Sequence, residues 1–382
     1  MFPVERDLAA ELRMRKERSL LRNLPASNKF IDFSSNDYLG FAKSGKLFET
    51  TSVYMAGMET KNGSGGSRLL SGNSAEAEQI EAYLADFHHA PAALLFNSGY
   101  DANVGLFSSV ASKNDTVIYD EFIHASVRDG IRLSRAQSFP FRHNGMEHLK
   151  ERIHLAKGNI FVAAESVYSM DGDFAPLKEL TEICIRSKAH LIIDEAHATG
   201  VFHSGLVQQN RLEEHIFARV YTFGKALGCH GAVVTGSHIL KQYLVNHARS
   251  FIYTTALPPH SLNSIRAAYK MLEQSDKTIK HLHGLIKYFR SMIKHQQVEK
   301  IAGGNLKWLD SASPIQGLVV QGNSNVLKMA NSMMENNLDI KPILSPTVPK
   351  GSERLRICLH SYNTKDEIKS IFEVVEREKL KI

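Results

Sequence analysis

Cysteine is scarce in this sequence. Its 382 residues hold three, Cys184, Cys229 and Cys358, far apart and with no CxxC pair. That argues against a disulfide framework and against a zinc site. It suits a reducing compartment, so a cytoplasmic protein without a metal is expected. No apolar run approaches the roughly 20 residues that a membrane span needs. Internal repeats and low-complexity segments are lacking too. The basic N-terminal stretch carries Glu5, Asp7, Glu11 and Glu17. Transit peptides avoid acids, and the apolar stretch of a signal peptide is missing, so this segment reads as an exposed helix ending near Pro25. The net charge is only +6 and is spread along the chain. It lacks the concentrated basic patch of a nucleic-acid binder, yet it suits anionic ligands such as phosphates or coenzyme A.

What is present reads as a large folded chain. At 382 residues it is long enough for one large core and a smaller second one. The stretch FIDFSSNDYLGFA alternates like a strand and then turns. A glycine-rich loop follows at residues 63–67, then a helix at Ala75–Phe87. Beyond it apolar runs alternate with helical stretches. Strands are expected at APAALLF, 115–119, NIFVAAESV, HLIIDEA and RVYTFGKA, and helices at 102–111 and 176–188, the latter with proline at its start. Continuous apolar strands of this kind predict a mostly parallel sheet covered by helices on both faces. Ligands collect at the carboxyl ends of such strands, where Asn97-Ser98-Gly99, Glu165-Ser166, Asp194-Glu195 and residues 222–225 fall. Residues 262–295 read as helical, with Leu282, Leu285, Ile286, Phe289 and Ile293 on one face. The expected division is an N-terminal helix and strand at 1–45, a large cofactor-binding domain at 46–270 and a smaller α+β domain at 271–382. The last begins with a linking helix and holds strands near Ile315–Val320 and 355–359.

The sharpest local signal is TFGKALG, residues 222–228, closing an apolar strand. Small residues around Lys225 leave room for a planar ring. Lysine becomes a nucleophile when its surroundings lower its pKa, and aldehyde cofactors trap it as an imine. A solvated surface lysine is the plainer alternative. Asp194 and His197 come from DEAH at the end of HLIIDEA. A buried carboxylate there can pair with the ring nitrogen of pyridoxal phosphate (PLP) and keep the ring an electron sink. His197 can then bond the phenolic oxygen; otherwise Asp194 merely caps the next helix. The same four letters also match the magnesium motif of helicase-type NTPases, and GFAKSGK nearly makes a phosphate loop. Leu47 stands where a Mg²⁺-holding hydroxyl belongs, and polar SSNDYL precedes the loop in place of a strand, which disfavours that reading. Gly99 and Tyr100 lie at a strand-to-helix junction, where backbone N–H groups suit a phosphate. His124 can stack on a cofactor face, and Ser169 can bond the cofactor or simply hold a turn.

Taken in order, FSSNDYLG, GSGGSRLLSG, FNSGYDAN, His124-Ala-Ser, ESVYSMDGD, DEAHATG, TFGK, Pro346-Thr347-Val-Pro and Arg354-Leu-Arg356 resemble the α-oxoamine synthase family of fold-type-I PLP enzymes, over nearly the whole chain. The resemblance implies an α/β fold: a large domain with a mostly parallel sheet covered by helices, plus a smaller C-terminal α+β domain. PLP is the implied cofactor. Lys225 would carry it as an imine, Asp194 would meet the pyridine nitrogen, His197 the ring oxygen, and His124 would stack on the ring. Gly99, Tyr100, Ser169 and Thr222 would surround the phosphate and ring. Arg22 on the N-terminal helix, His124 and Thr347 are the implied substrate contacts, with Arg356 clamping the amino-acid carboxylate. A homodimer with active sites at the interface is also implied, residues 251–259 reaching the partner's cofactor phosphate. Neither membrane nor nucleic acid is an expected partner.

The activity implied is a decarboxylative condensation. An amino acid displaces Lys225, which then takes the α-proton as general base. The carbanion attacks an acyl thioester, expels the thiol and loses CO₂ to leave an α-amino ketone. L-Alanine and a pimeloyl thioester, on coenzyme A or an acyl carrier protein, are the leading substrates. The compact length, Arg22 and the Pro-Thr-Val-Pro run favour them. Glycine with an acetyl thioester, or the substrates of another family member, is the alternative. A non-catalytic subunit that keeps the fold is a third reading, disfavoured by the joint presence of Lys225, Asp194 and His197. Cys358 and His360, and the pair Cys229-His230, depart from the family's small residues and are expected near the acyl or carrier entrance.

Overall fold

A computed structural model gives the fold and describes residues 2–24, 29–56, 61–295 and 306–379. Seven strands form the main sheet, in the order Ala92–Phe96, Ala232–Gly236, Ala218–Thr222, His190–Asp194, Ile160–Glu165, Thr116–Asp120, Gln137–Phe141. All run parallel except Ala232–Gly236, which is antiparallel to both neighbours. Alternate residues enter opposite cores. Val117, Ala163 and Ile192 pack on one face with Leu106, Phe107 and Val127. Ile118, Val162 and Ile193 pack on the other with Leu149 and Leu180. Both faces are therefore apolar, which is why the central strands read as unbroken apolar runs. Gln137–Phe141 does not read that way. It is an edge strand, mostly exposed, and it carries Pro140, whose missing N–H an edge tolerates.

A second sheet of four antiparallel strands follows, in the order Lys341–Ile343, Arg354–Cys358, Ile315–Val320, Leu306–Trp308. Helices Asn323–Glu335 and Lys365–Glu378 cover it. Ile31–Asp32 pairs with Leu338–Asp339 beside it, so the chain after Asp32 enters the cleft between the two sheets.

Several sequence expectations are corrected. The N-terminal helix is Pro3–Glu17, with no buried residue, and stops well short of Pro25, which lies outside the described residues. Ser19 turns left-handed (φ 56°) and the Leu20 N–H closes back on Arg15 O at 2.8 Å, which ends the helix. Arg22 lies beyond it in exposed irregular chain. FIDFSS pairs only at Ile31–Asp32, because the Asp32 carboxylate accepts the N–H groups of Ser34 (3.0 Å) and Ser35 (2.9 Å) and bends the chain into a turn. The long helical stretch is two helices, Pro259–Leu272 and Asp276–His295, separated where Ser275 bonds back to Met271 O and Leu272 O. GFAKSGK forms a short 3₁₀ turn and the start of helix Gly45–Met55, with no strand leading into it. Among the described residues no helix is long and apolar enough to cross a membrane.

Candidate active site

Four neighbouring strands of the main sheet end on a polar residue: Asp120, Glu165, Asp194 and Thr222. Glu165 stands opposite Asp194 in the parallel register. Asp194 is buried; its Oδ1 accepts the Ala196 N–H at 2.9 Å and its Oδ2 accepts from the Asn103 amide at 2.8 Å. Asn103 also donates to Ser126 Oγ at 3.0 Å, and that hydroxyl meets His124 Nδ1 at 2.7 Å. Asp194 and His124 are thus tied through two side chains. His124 caps helix Ala125–Ser134, and its own N–H donates to Glu165 Oε1 at 2.6 Å. Burial, with the Asp194 carboxylate beside it, pushes the Glu165 pKa up to about 8.

Lys225 sits in the turn after Ala218–Thr222. Its Nζ lies 2.9 Å from His197 Nε2, and His197 Nδ1 lies 2.8 Å from the Tyr38 hydroxyl. Tyr38 donates to Asn36 Oδ1 at 3.1 Å. It therefore accepts from His197 Nδ1–H, which leaves Nε2 to accept from the Lys225 amine. Burial holds the His197 pKa well below its usual value, with the positive charges of Lys225 and Arg356 adding to the effect. Burial also lowers the Lys225 pKa, with Arg356 helping and Asp194 and Glu165 partly opposing.

Arg356, on strand Arg354–Cys358 of the second sheet, faces this group across the cleft. Its guanidinium donates to Ser169 O at 2.7 Å, Cys358 Sγ at 3.0 Å and Asn36 Oδ1 at 3.0 Å. Three of the five N–H donors of a guanidinium are thus used, and two remain. Asn36 joins Arg356 to the Tyr38–His197–Lys225 series.

At the other end of the cleft, Ser98 caps helix Gly99–Val110. A Cβ on Gly99 would stand 3.4 Å from Thr222 Cγ2, so glycine keeps the helix start close to the strand end. The Tyr100 side chain turns outward, 49% exposed, and donates to Asp129 at 2.6 Å. Asn97 donates to Thr254 Oγ1 at 2.8 Å and Thr255 O at 2.9 Å of its own chain.

The structure therefore gathers Lys225, Asp194, His197, His124 and Arg356, with Ser169 contributing its carbonyl and Gly99 meeting Thr222. It does not bring in Arg22 or Thr347. Arg22 lies past the end of its helix, and Thr347 lies in an exposed turn closed by its N–H on Leu344 O at 2.9 Å. Cys358 contacts the Arg356 guanidinium, and buried His360 bonds to Ser35 and Asn363, so neither opens onto an entrance. Glu195 points away from the cleft; it accepts from Ser166 Oγ (2.8 Å), Leu206 N–H (3.0 Å) and Val207 N–H (2.6 Å). Asn36, Tyr38, Asn103 and Ser126 are members that the sequence did not single out. Asn103 had a signal, being one helical turn beyond Gly99 on the same face.

The cleft and its lysine define a PLP enzyme of fold type I. Residues 28–375 match the family model for class I and II aminotransferases, and the chain belongs to that family. An 8-amino-7-oxononanoate synthase of Emericella nidulans is 42% identical over 97% of this chain and 95% of its own length. One from Lysinibacillus sphaericus is 34% identical over 98% and 95%. Among solved structures, 8-amino-7-oxononanoate synthase from Francisella tularensis matches with a TM-score of 0.78 at 29% identity, covering 93% of this chain and 99% of that one. Serine palmitoyltransferase from S. paucimobilis with bound PLP–myriocin aldimine shares the fold, with a TM-score of 0.87 at 23% identity over 98% and 97%. Within its family this chain groups with the 8-amino-7-oxononanoate synthases, PLP-dependent acyltransferases of biotin biosynthesis.

Proposed function

We propose that the cleft condenses L-alanine with a pimeloyl thioester, releasing CO₂ and the free thiol and giving 8-amino-7-oxononanoate. The observation that carries this reading is Lys225, a part-buried amine held by His197 beside a buried carboxylate and facing an arginine.

The residues present fit PLP. Lys225 makes no ion pair among the described residues, so its amine is available to a carbonyl carbon. Asn103 and the Ala196 N–H fix the Asp194 carboxylate at the strand end, where it can meet a protonated ring nitrogen. His197 would face the ring oxygen and His124 the ring plane. The Gly99 and Tyr100 N–H groups, with Thr222, would hold the phosphate end, and Ser169 would lie beside the ring. Bound there, PLP supplies an electron sink for a carbanion at the amino-acid α-carbon.

The protein's own groups do the remaining work. The amine of Lys225, its pKa lowered by burial, moves the α-proton. Arg356 offers its two unused N–H groups to the substrate carboxylate, and Asn36 and Ser169 O keep its plane fixed. Loss of CO₂ makes the condensation effectively irreversible. Arg22 and Thr347 are proposed to reach the substrate from the N-terminal segment and from the turn between strands Lys341–Ile343 and Arg354–Cys358.

The proposal extends to a cytoplasmic homodimer with the site at the subunit interface. Leu70 and Tyr253, 85% and 71% exposed, flank the Gly66–Ala256 contact and mark a face suited to a second copy. Three free cysteines suit a reducing compartment. The test is a thiol-release assay pairing alanine or glycine with pimeloyl and acetyl thioesters. Preference for alanine with the pimeloyl thioester is expected. Preference for glycine with the acetyl thioester would move the assignment to a sister activity.

A further inference from the structure

His143 bridges two acids that lie outside the set above. Its Nδ1 is 2.9 Å from Asp120 Oδ1 and its Nε2 is 2.7 Å from Asp173 Oδ2. A neutral imidazole carries a single N–H, so satisfying both carboxylates takes the imidazolium. The Phe122 ring stacks on it at 4.4 Å and Tyr168 meets it edge-on at 4.5 Å. Burial opposes the charge, but the two carboxylates outweigh it and raise the pKa to about 10. Asn144 clasps the same two acids, its backbone N–H on Asp120 Oδ2 and its amide on Asp173 Oδ2, each at 2.9 Å.

Each acid belongs to a segment that ends in the site. Asp120 closes its strand and accepts the Phe122 N–H at 2.9 Å, which shapes the turn delivering His124. Asp173 lies in the hairpin tied by the Val167–Phe174 bridge, the hairpin that carries Ser169. Its backbone carbonyl accepts the Tyr168 N–H at 3.0 Å. Ser169 O accepts from Arg356, and Asp171 in the same hairpin pairs with Arg354.

We infer that His143 is a positioning residue, a fixed cation that braces the His124 turn against the Ser169 hairpin and thereby sets Arg356 for the amino-acid carboxylate. The inference rests on the reading of Arg356 given above. None of the contacts of His143 is with Lys225, His197 or Arg356, so it acts through Asp120 and Asp173.

The test uses the cofactor-loaded protein with His143→Gln and His143→Arg. Alanine binding is followed by the visible absorbance change of the bound cofactor. H143Q is expected to bind alanine about tenfold or more weakly, as small displacements of a binding group do, while kcat at saturation falls less and cofactor retention is unchanged. H143R keeps the charge and can span both acids, so it recovers part of the affinity. A merely structural role would lower the thermal midpoint of H143Q and leave its alanine affinity at the wild-type value, and that result overturns the inference. Side-chain nitrogen NMR of the cofactor-free wild type gives an independent reading, decisive even where H143Q fails to fold. Both ring nitrogens of His143 should be protonated at neutral pH, and a neutral ring overturns the inference. A wild type that responds to no amino acid would remove the role of Arg356 and this inference with it. A responsive wild type beside an equally responsive H143Q removes this inference alone.

Discussion

The amine of Lys225 lies 2.9 Å from His197 Nε2 and forms no ion pair with a carboxylate among the described residues. Enclosed lysines without a paired acid are uncommon, because burial penalises the charged form. Here the penalty has a use. It moves the amine toward its neutral, nucleophilic state, and a neutral His197 beside it accepts its hydrogen bond without adding charge.

Asp194→Asn keeps the shape of the strand end and one of the two acceptor oxygens but removes the negative charge. Turnover should fall at least about a hundredfold. Asn103→Ala, which leaves the carboxylate in place, should lose much less. Steady-state kinetics of the two variants decide the matter, and full turnover in D194N would contradict the assigned role.

Arg356→Lys keeps a cation and loses the planar fork. Removing a charge-assisted hydrogen bond costs about 1.5–3 kcal/mol, which is roughly ten- to a hundredfold in affinity. The KM for the amino acid should rise by that factor while kcat changes less. An unchanged KM would show that the carboxylate binds elsewhere.

Glu195→Ala strips the acceptor from two backbone N–H groups and the Ser166 hydroxyl. The Ser166 hydroxyl can turn to Asp194 O, so two backbone N–H groups are orphaned, and at roughly 1–3 kcal/mol each stability should drop by about 2–6 kcal/mol. Turnover per folded molecule should fall far less than in D194N. Denaturant unfolding beside kinetics separates the two, and a Mg²⁺-dependent ATPase activity lost in E195A would revive the helicase-type reading.

Stability should decline as pH rises, for two reasons with the same sign. The His143 pKa is raised in the fold from its usual 6.5 to about 10. Its contribution is complete below 6.5, shrinks above that and is gone past about 10. Glu165 is raised from its usual 4.5 to about 8. Between those values the folded chain keeps a proton that the unfolded chain gives up, so stability falls across that range and then levels. Thermal midpoints measured across pH should show E165Q with a shallower fall between about 4.5 and 8, and H143Q with a shallower fall between 6.5 and about 10. Slopes equal to the wild type would contradict both assignments.

Much of the fold was legible because its central strands are buried on both faces. His190–Asp194 and Ile160–Glu165 appear as apolar runs closed by an acid, and that acid marks the ligand end. Gln137–Phe141 was illegible because an exposed edge strand needs no apolar pattern, and its proline argued against a strand. Ala232–Gly236 hid behind the Lys225 turn. In the site, Lys225, Asp194 and His197 carried motif signals. Tyr38 and Asn36 reach His197 and Arg356 only through the fold, over sequence separations that no local pattern encodes. His143 was silent for the same reason: its partner Asp120 ends one strand and its partner Asp173 lies in the hairpin that follows another.

The central claim is that Lys225 carries the cofactor. Treating the purified protein with borohydride, digesting it and locating the reduced cofactor adduct by mass spectrometry tests this directly. The adduct should sit on Lys225, and the Lys225→Ala protein should be colourless and unlabelled. An adduct on another lysine, or a yellow, labelled and active Lys225→Ala variant, would contradict the account.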